Sequence, residues 1–179
     1  NGVYSHDKKK CIARKAVTLI QDGMFILSGG GTTITELAKA LPDQLQATFF
    51  TGSLPAAIEY IQHPTAEVIF IGDRVSKNSR ITVGGDAIQK ISQINADLCF
   101  LGINALDPEK GLTDNDWDVV QIKKAMINTS RKVVALTISE KLFTQQKIRV
   151  AELAELDIII TERPPDDPKL DPFRKAGVL

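Results

Sequence analysis

The sequence predicts an α/β fold, a mostly parallel sheet with helices on both faces, and three observations carry that prediction. Short runs that are almost wholly apolar recur at 47–51, 67–71, 97–101 and 132–136, as strands buried on both sides do. Stretches with helical spacing of apolar residues separate them, as crossover connections between parallel strands require. The third is the stretch from Met24 to Leu41, which reads as a buried strand, a glycine-rich turn and an amphipathic helix. There Ile34, Leu37, Ala38 and Leu41 fall at i, i+3, i+4 and i+7. Thr33 and Glu36 have the spacing of a capping box, and Pro42 ends the helix by biasing Leu41 toward extended backbone.

Composition narrows the function classes. A chain of 179 residues suits one domain (1–179) with a sizeable core. Its 22 basic and 22 acidic residues cancel, so it lacks the general electrostatic footprint of a nucleic-acid or anionic-membrane binder. Cys11 and Cys99 both sit in apolar company and read as buried free thiols of a reducing compartment. His6 and His63 stand alone without ligand-spaced neighbours, so no structural metal is expected. No apolar run approaches the ~20 residues that span a bilayer, and no secretory apolar region opens the chain. A cytoplasmic protein without membrane contact is the expectation. The opening residue is Asn1 rather than methionine, which fits a piece of a longer chain.

Taken in order, the first element is a helix over 8–21, with Ile12, Ala16, Leu19 and Ile20 inward and Asp22-Gly23 as its stop. Lys8, Lys9, Lys10, Arg14 and Lys15 surround it as a solvated basic face. After the strand at 47–51, Pro55 suits a first helical turn, with Ser53 at the N-cap and Ala56, Ala57, Tyr60 and Ile61 inward. Ser53 either only caps that helix or also faces a ligand. The strand 67–71 leads to a polar loop at 76–80, a short strand at 81–83 and a helix through Ala87, Ile88 and Ile91. Beyond the strand 97–101 lies the longest irregular polar stretch, 104–116, whose length marks a functional or mobile loop. A helix starts near Asp116 and turns Val119, Ile122, Lys123, Met126 and Ile127 inward. Lys123 in that stripe either snorkels to the surface or aims its ammonium into a cleft. Strands follow at 132–136, 148–150 and 158–161, and the proline- and aspartate-rich tail 163–179 is expected to be an arm across the surface.

The glycine turn holds the clearest chemistry. Gly29, Gly30 and Gly31 allow close backbone approach, and the helix start behind them offers unpaired N–H groups and the positive end of its dipole. Thr32 and Thr33 add hydroxyls, so the corner suits a phosphate or carboxylate; an ordinary strand–helix turn would need similar flexibility. Lys141, just past the carboxyl end of a strand, lies where open α/β sheets bind ligands.

The succession of short motifs resembles the C-terminal effector domain of DeoR-family bacterial transcriptional regulators. They are Lys-Lys-Cys-Ile-Ala-Arg-Lys-Ala (9–16), Gly-Gly-Thr-Thr (30–33), Thr-Gly-Ser-Leu-Pro (51–55) and Ile-Gly-Asp-Arg (71–74). Asp-Leu-Cys-Phe-Leu-Gly-Ile-Asn (97–104), Gly-Leu-Thr (111–113) and Ile-Lys-Lys-Ala-Met-Ile (122–127) follow. Ser-Glu-Lys-Leu-Phe (139–143) and Asp-Ile-Ile-Ile-Thr (157–161) complete the series. The resemblance implies a fold similar to ribose-5-phosphate isomerase and the NagB-like proteins, and sugar-phosphate sensing by a homo-oligomeric repressor of sugar-metabolism genes. It also implies a winged helix-turn-helix domain ahead of this chain, which would contact operator DNA. No cofactor is implied. The phosphate would sit on Gly30, Gly31, Thr32 and Thr33 with Lys141 and Lys123 adding charge, and the sugar hydroxyls would meet Ser53, Asn104 and Asp107, with the 104–116 loop closing over them.

Four positions depart from the family pattern: Gly29 stands for an acid, Gly52 for the Asn of Thr-Asn-Ser, Ala105 lies in an altered 102–107 motif, and Val119 replaces an acid. The alternative is a sugar-phosphate isomerase or aminosugar-phosphate deaminase of the same fold. Aldose–ketose isomerisation needs a carboxylate base and a group that polarises the carbonyl. Asn104 and Ala105 stand where such enzymes resemble this stretch with Asp and Glu, although Asp107, Asp114, Asp116 and Asp118 are near. The sensor is therefore the expected reading, with no catalytic residue.

Overall fold

The structure, a computed structural model, describes residues 2–175. Helix α1 (Gly2–Val17) precedes β1 (Phe25–Ser28), α2 (Thr32–Ala40), β2 (Thr48–Thr51), α3 (Leu54–Ile61) and β3 (Glu67–Phe70). A hairpin of β4 (Arg74–Ser76) and β5 (Ile81–Val83) leads to α4 (Gly85–Ser92) and β6 (Ala96–Gly102). Then come β7 (Ala105–Asp107), β8 (Gly111–Asp114), α5 (Trp117–Thr129), β9 (Ser130–Leu136), β10 (Ile148–Ala151), β11 (Ile158–Ile160) and α6 (Asp171–Lys175).

Six strands form the main sheet in the order β11-β9-β6-β1-β2-β3, every pairing parallel. Neighbouring residues on one strand serve opposite cores, which is why the strands read as continuous apolar runs. Ile26, Phe49 and Phe100 pack with Ile12, Ile34, Leu37 and Tyr60 from α1, α2 and α3. Leu27, Phe50 and Leu101 pack on the other side with Ile91 of α4 and Val120 of α5. One polar pair sits inside the first core: the Ser28 and Tyr60 hydroxyls are 2.8 Å apart, with Phe49 stacked on the Tyr60 ring.

The chain order runs outward from β1 in both directions, through β2 and β3 on one side and β6, β9 and β11 on the other. Connections after β1 and β6 therefore leave in opposite directions and open a crevice at the carboxyl ends of these strands.

Several expectations change. The 104–116 stretch is ordered: β7 and β8 form an antiparallel hairpin that β10 extends into a three-stranded sheet. Leu106 and Leu112 bury into the second core, while Asp107 closes the turn by accepting the amides of Glu109 and Lys110 at 3.0 Å. The strand expected at 148–150 thus joins this small sheet. Helix α1 starts earlier than position 8 and ends at Val17. Its Lys15 is no solvated charge, because it donates to the carbonyls of Thr161 and Arg163. Cys11 is half-buried, whereas Cys99 is fully buried and its thiol is pushed up to about 12 by that burial. Ile61 faces outward at 67 % exposure, in line with exposed Leu54 and Ile58. The tail docks Phe173 into the core beside Phe143; residues 176–179 lie outside the described part.

Candidate functional site

The crevice between β1 and β6 opens into a cleft of about 1000 Å³. Seven of the sequence-predicted residues line it: Gly30, Gly31, Thr32, Thr33, Asn104, Lys123 and Lys141. Its floor is a close backbone contact. The Gly29 amide donates to Phe100 O at 2.9 Å, and a Cβ at Gly102 would meet Gly30 O at 2.5 Å. Only glycine lets the two connections approach this far.

One wall is the start of α2. The N-cap is Gly31, at φ 103°, a conformation that glycine adopts without strain. The expected capping box is absent, because Thr33 is already inside the helix and Glu36 is buried facing His6 at 3.4 Å. The first bond onto the cap is Thr35 N–H to Gly31 O at 3.2 Å, so the amides before it have no acceptor within the helix. They and the helix dipole form an electropositive surface. Lys141, exposed at the end of the 3₁₀ turn 139–141, and half-buried Lys9 of α1 complete that side.

The facing wall is a paired network. Asp114 on β8 accepts from Lys123 Nζ at 3.0 Å and from Asn104 Nδ2 at 3.2 Å through one carboxylate oxygen. Its other oxygen accepts the Asn115 amide at 2.7 Å. Burial pushes the Asp114 carboxyl up, but the Lys123 ammonium and these donors outweigh it and hold the group below the usual carboxylate range. Lys123 is thus no snorkelling surface lysine: its side chain is only 12 % exposed and reaches Asp114 and, at 3.4 Å, Gly102 O. Asn78 and Ser79 from the β4–β5 hairpin tip and exposed Trp117 rim the mouth.

Two predicted residues lie elsewhere. Ser53 is buried behind the glycine turn, where its Oγ accepts the Ala56 amide at 3.3 Å and caps α3. It faces a cavity of about 30 Å³ rather than the cleft. Asp107 is occupied by the hairpin turn; burial raises its carboxyl, and the Lys110 and Glu109 amides lower it further than that. Sequence reasoning missed Asp114 as a site member and placed Lys9, which lines the cleft, on a solvated face. The departure at Gly52 has a steric cause. A Cβ there would lie 2.2 Å from Thr82 Oγ1, which is itself fixed by donating to Ile71 O at 2.7 Å. Nothing in the structure explains Gly29.

The DeoR C-terminal sensor domain family matches residues 4–163. The chain belongs to this family. The sensor domain is 32 % identical over 176 residues to the HTH-type transcriptional regulator GlpR of Haloferax volcanii, covering 98 % of this chain and 69 % of that protein. With the HTH-type transcriptional repressor GlcR of Bacillus subtilis it shares 29 % over 172 residues, 96 % of this chain and 66 % of the repressor. The fold is similar to that of ribose 5-phosphate isomerase A from Methanocaldococcus jannaschii, at a TM-score of 0.54 and 21 % identity over 76 % of this chain and 54 % of the isomerase. The chain thus spans about two thirds of these regulators and about half of the isomerase. The family and its named relatives make this a sensor domain of transcriptional regulators, not an isomerase or deaminase. Among the described residues no helix is long and apolar enough to cross a membrane, and no three His, Cys, Asp or Glu side chains cluster as metal ligands.

Proposed function

We propose that the sensor domain binds a phosphorylated sugar in this cleft and that occupancy sets the DNA affinity of the whole regulator. The phosphate rests on Gly30, Gly31, Thr32 and Thr33 with Lys141 beside it. The sugar hydroxyls meet Asn104, as the sequence suggests, together with Asp114 and Lys123, which stand in the cleft where Ser53 and Asp107 do not. In the same reading a winged helix-turn-helix domain precedes this chain and contacts the operator, and the cytoplasmic protein is a homo-oligomer that represses sugar-metabolism genes. A ligand changes DNA affinity only by binding two conformations unequally. The 104–116 segment is built into a sheet, so the closing element is sought in the β4–β5 hairpin tip at the mouth.

The observation that carries this reading is the meeting, in one cleft, of acceptor-free helix amides, the Lys141 ammonium and a wall of fixed hydrogen-bonding side chains. Calorimetry with paired phosphorylated and free sugars tests it. The phosphorylated forms alone are expected to bind, and equal response to both members of a pair would reject the proposal.

A further inference from the structure

We infer that Lys9 brings helix α1 into the binding site, so that a phosphate monoester held at Gly30–Thr33 also fixes the first turns of α1. The inference rests on the anion reading of that corner. Lys9 is half-buried and lines the cleft together with Thr32, Thr33 and Lys141. Its ammonium has no ion pair or hydrogen bond among the described residues, and the same holds for that of Lys141. Other members of the basic run have separate roles or stay exposed: Lys8 pairs with Glu140, Lys15 holds the carbonyls of Thr161 and Arg163, and Lys10 and Arg14 face solvent.

The position of Lys9 gives its charge a mechanical meaning. On its helix face His6, one turn earlier, meets Glu36 of α2 at 3.4 Å, and adjacent Lys8 meets Glu140, next to Lys141. The first turns of α1 therefore lie between the two segments that flank the anion corner, held there by the His6–Glu36 and Lys8–Glu140 side-chain contacts. The second half of the helix is held differently, by Ile12, Ala13 and Ala16 in the core. Two unneutralised ammonium groups in one cleft repel each other, and a dianion between them turns repulsion into attraction at both. Ligand occupancy then tightens the N-terminal end of α1 and leaves its apolar end unchanged. Any chain on the N-terminal side of the domain is joined through that end, so α1 is the element that carries the ligand signal outward.

The test uses the 179-residue chain and inorganic phosphate as the probe, with affinity from phosphorus NMR titration and α1 order from amide hydrogen exchange. In the parent, phosphate is expected to slow exchange both at 31–34 and at 6–12. Lys9→Met is expected to bind phosphate about tenfold more weakly and, at matched occupancy, to keep the protection at 31–34 while losing the added protection at 6–12. Lys9→Arg restores both, and Lys10→Met, on the exposed side, changes neither. If Lys9→Met binds phosphate like the parent, or keeps the α1 protection when saturated, the role of Lys9 is overturned while the anion corner stands. A parent that shows no protection at 31–34 with phosphate overturns the corner, and this inference with it.

Discussion

The two walls of the cleft solve opposite problems. The wall from Asn104, Asp114 and Lys123 is complete: its charges neutralise each other and its donors have acceptors. The wall from α2, Lys9 and Lys141 presents donors and positive charge with no partner among the described residues. The first contributes to the fold whether or not a ligand is bound. In the proposed function, the second gains its partners from the ligand. The contrast separates residues whose loss is read in stability as well as in affinity from residues whose loss is read in affinity alone.

The largest effect is expected on the complete wall. Asp114→Ala leaves Lys123 buried without its counter-charge, which costs about 3 kcal/mol of unfolding free energy, measurable in urea. Adding Lys123→Met should recover much of the loss, because it removes the orphaned charge; a double variant as unstable as the single one would break the comparison. The same pair sets an acid limit. The folded-state value of Asp114 lies below its unfolded value, so its contribution is fully present above about pH 4 and is lost as pH falls through the folded value. The double variant should therefore show a shallower loss of stability below pH 4 than the parent.

Gly102→Ala probes the floor between the walls. Its Cβ would press on the Gly30 carbonyl, so we expect about 2 kcal/mol of destabilisation together with weaker ligand binding. Retention of both parent properties would show that the contact relaxes freely.

Lys141→Ala belongs to the incomplete wall and should leave stability unchanged while weakening a bound sugar phosphate at least tenfold. An ion pair at ~4 Å and an effective dielectric of ~20 is worth about 4 kcal/mol before desolvation, and a third of that is a factor of ten. Unchanged affinity would reduce Lys141 to a loop charge. The smallest effect is expected for Thr33→Val, a few-fold loss of affinity by titration, because one neutral donor goes while the helix amides remain.

Legibility in the sequence follows the same division. The main-sheet strands, the glycine turn, the Ser53 cap, the helix start near Asp116 and the stop at Pro42 were readable because each rests on neighbours within a few residues. Asp114 was not, since its burial depends on pairing with β10, which local periodicity does not reveal. Strands of three or four residues also carry too little alternation to stand out from a polar loop. Glu36 matched the capping-box spacing, but the glycine cap moved the helix start and left that carboxylate to His6. Lys9 was taken for a solvated charge because a helical wheel marks the outer face of a helix without showing what stands across from it.

The small sheet also sets an order of events. Ile148 pairs with Asp114 and Arg149 with Thr113, and α5 and β9 must be laid down between the two strands. β8 therefore lacks this neighbour until the intervening segment has been made. During synthesis, the glycine turn emerges early, whereas Asp114, which we propose meets the sugar, lacks its neighbouring strand until residues 148–151 have left the ribosome. If the proposed function holds, a nascent chain is deaf to its effector until β10 has been made.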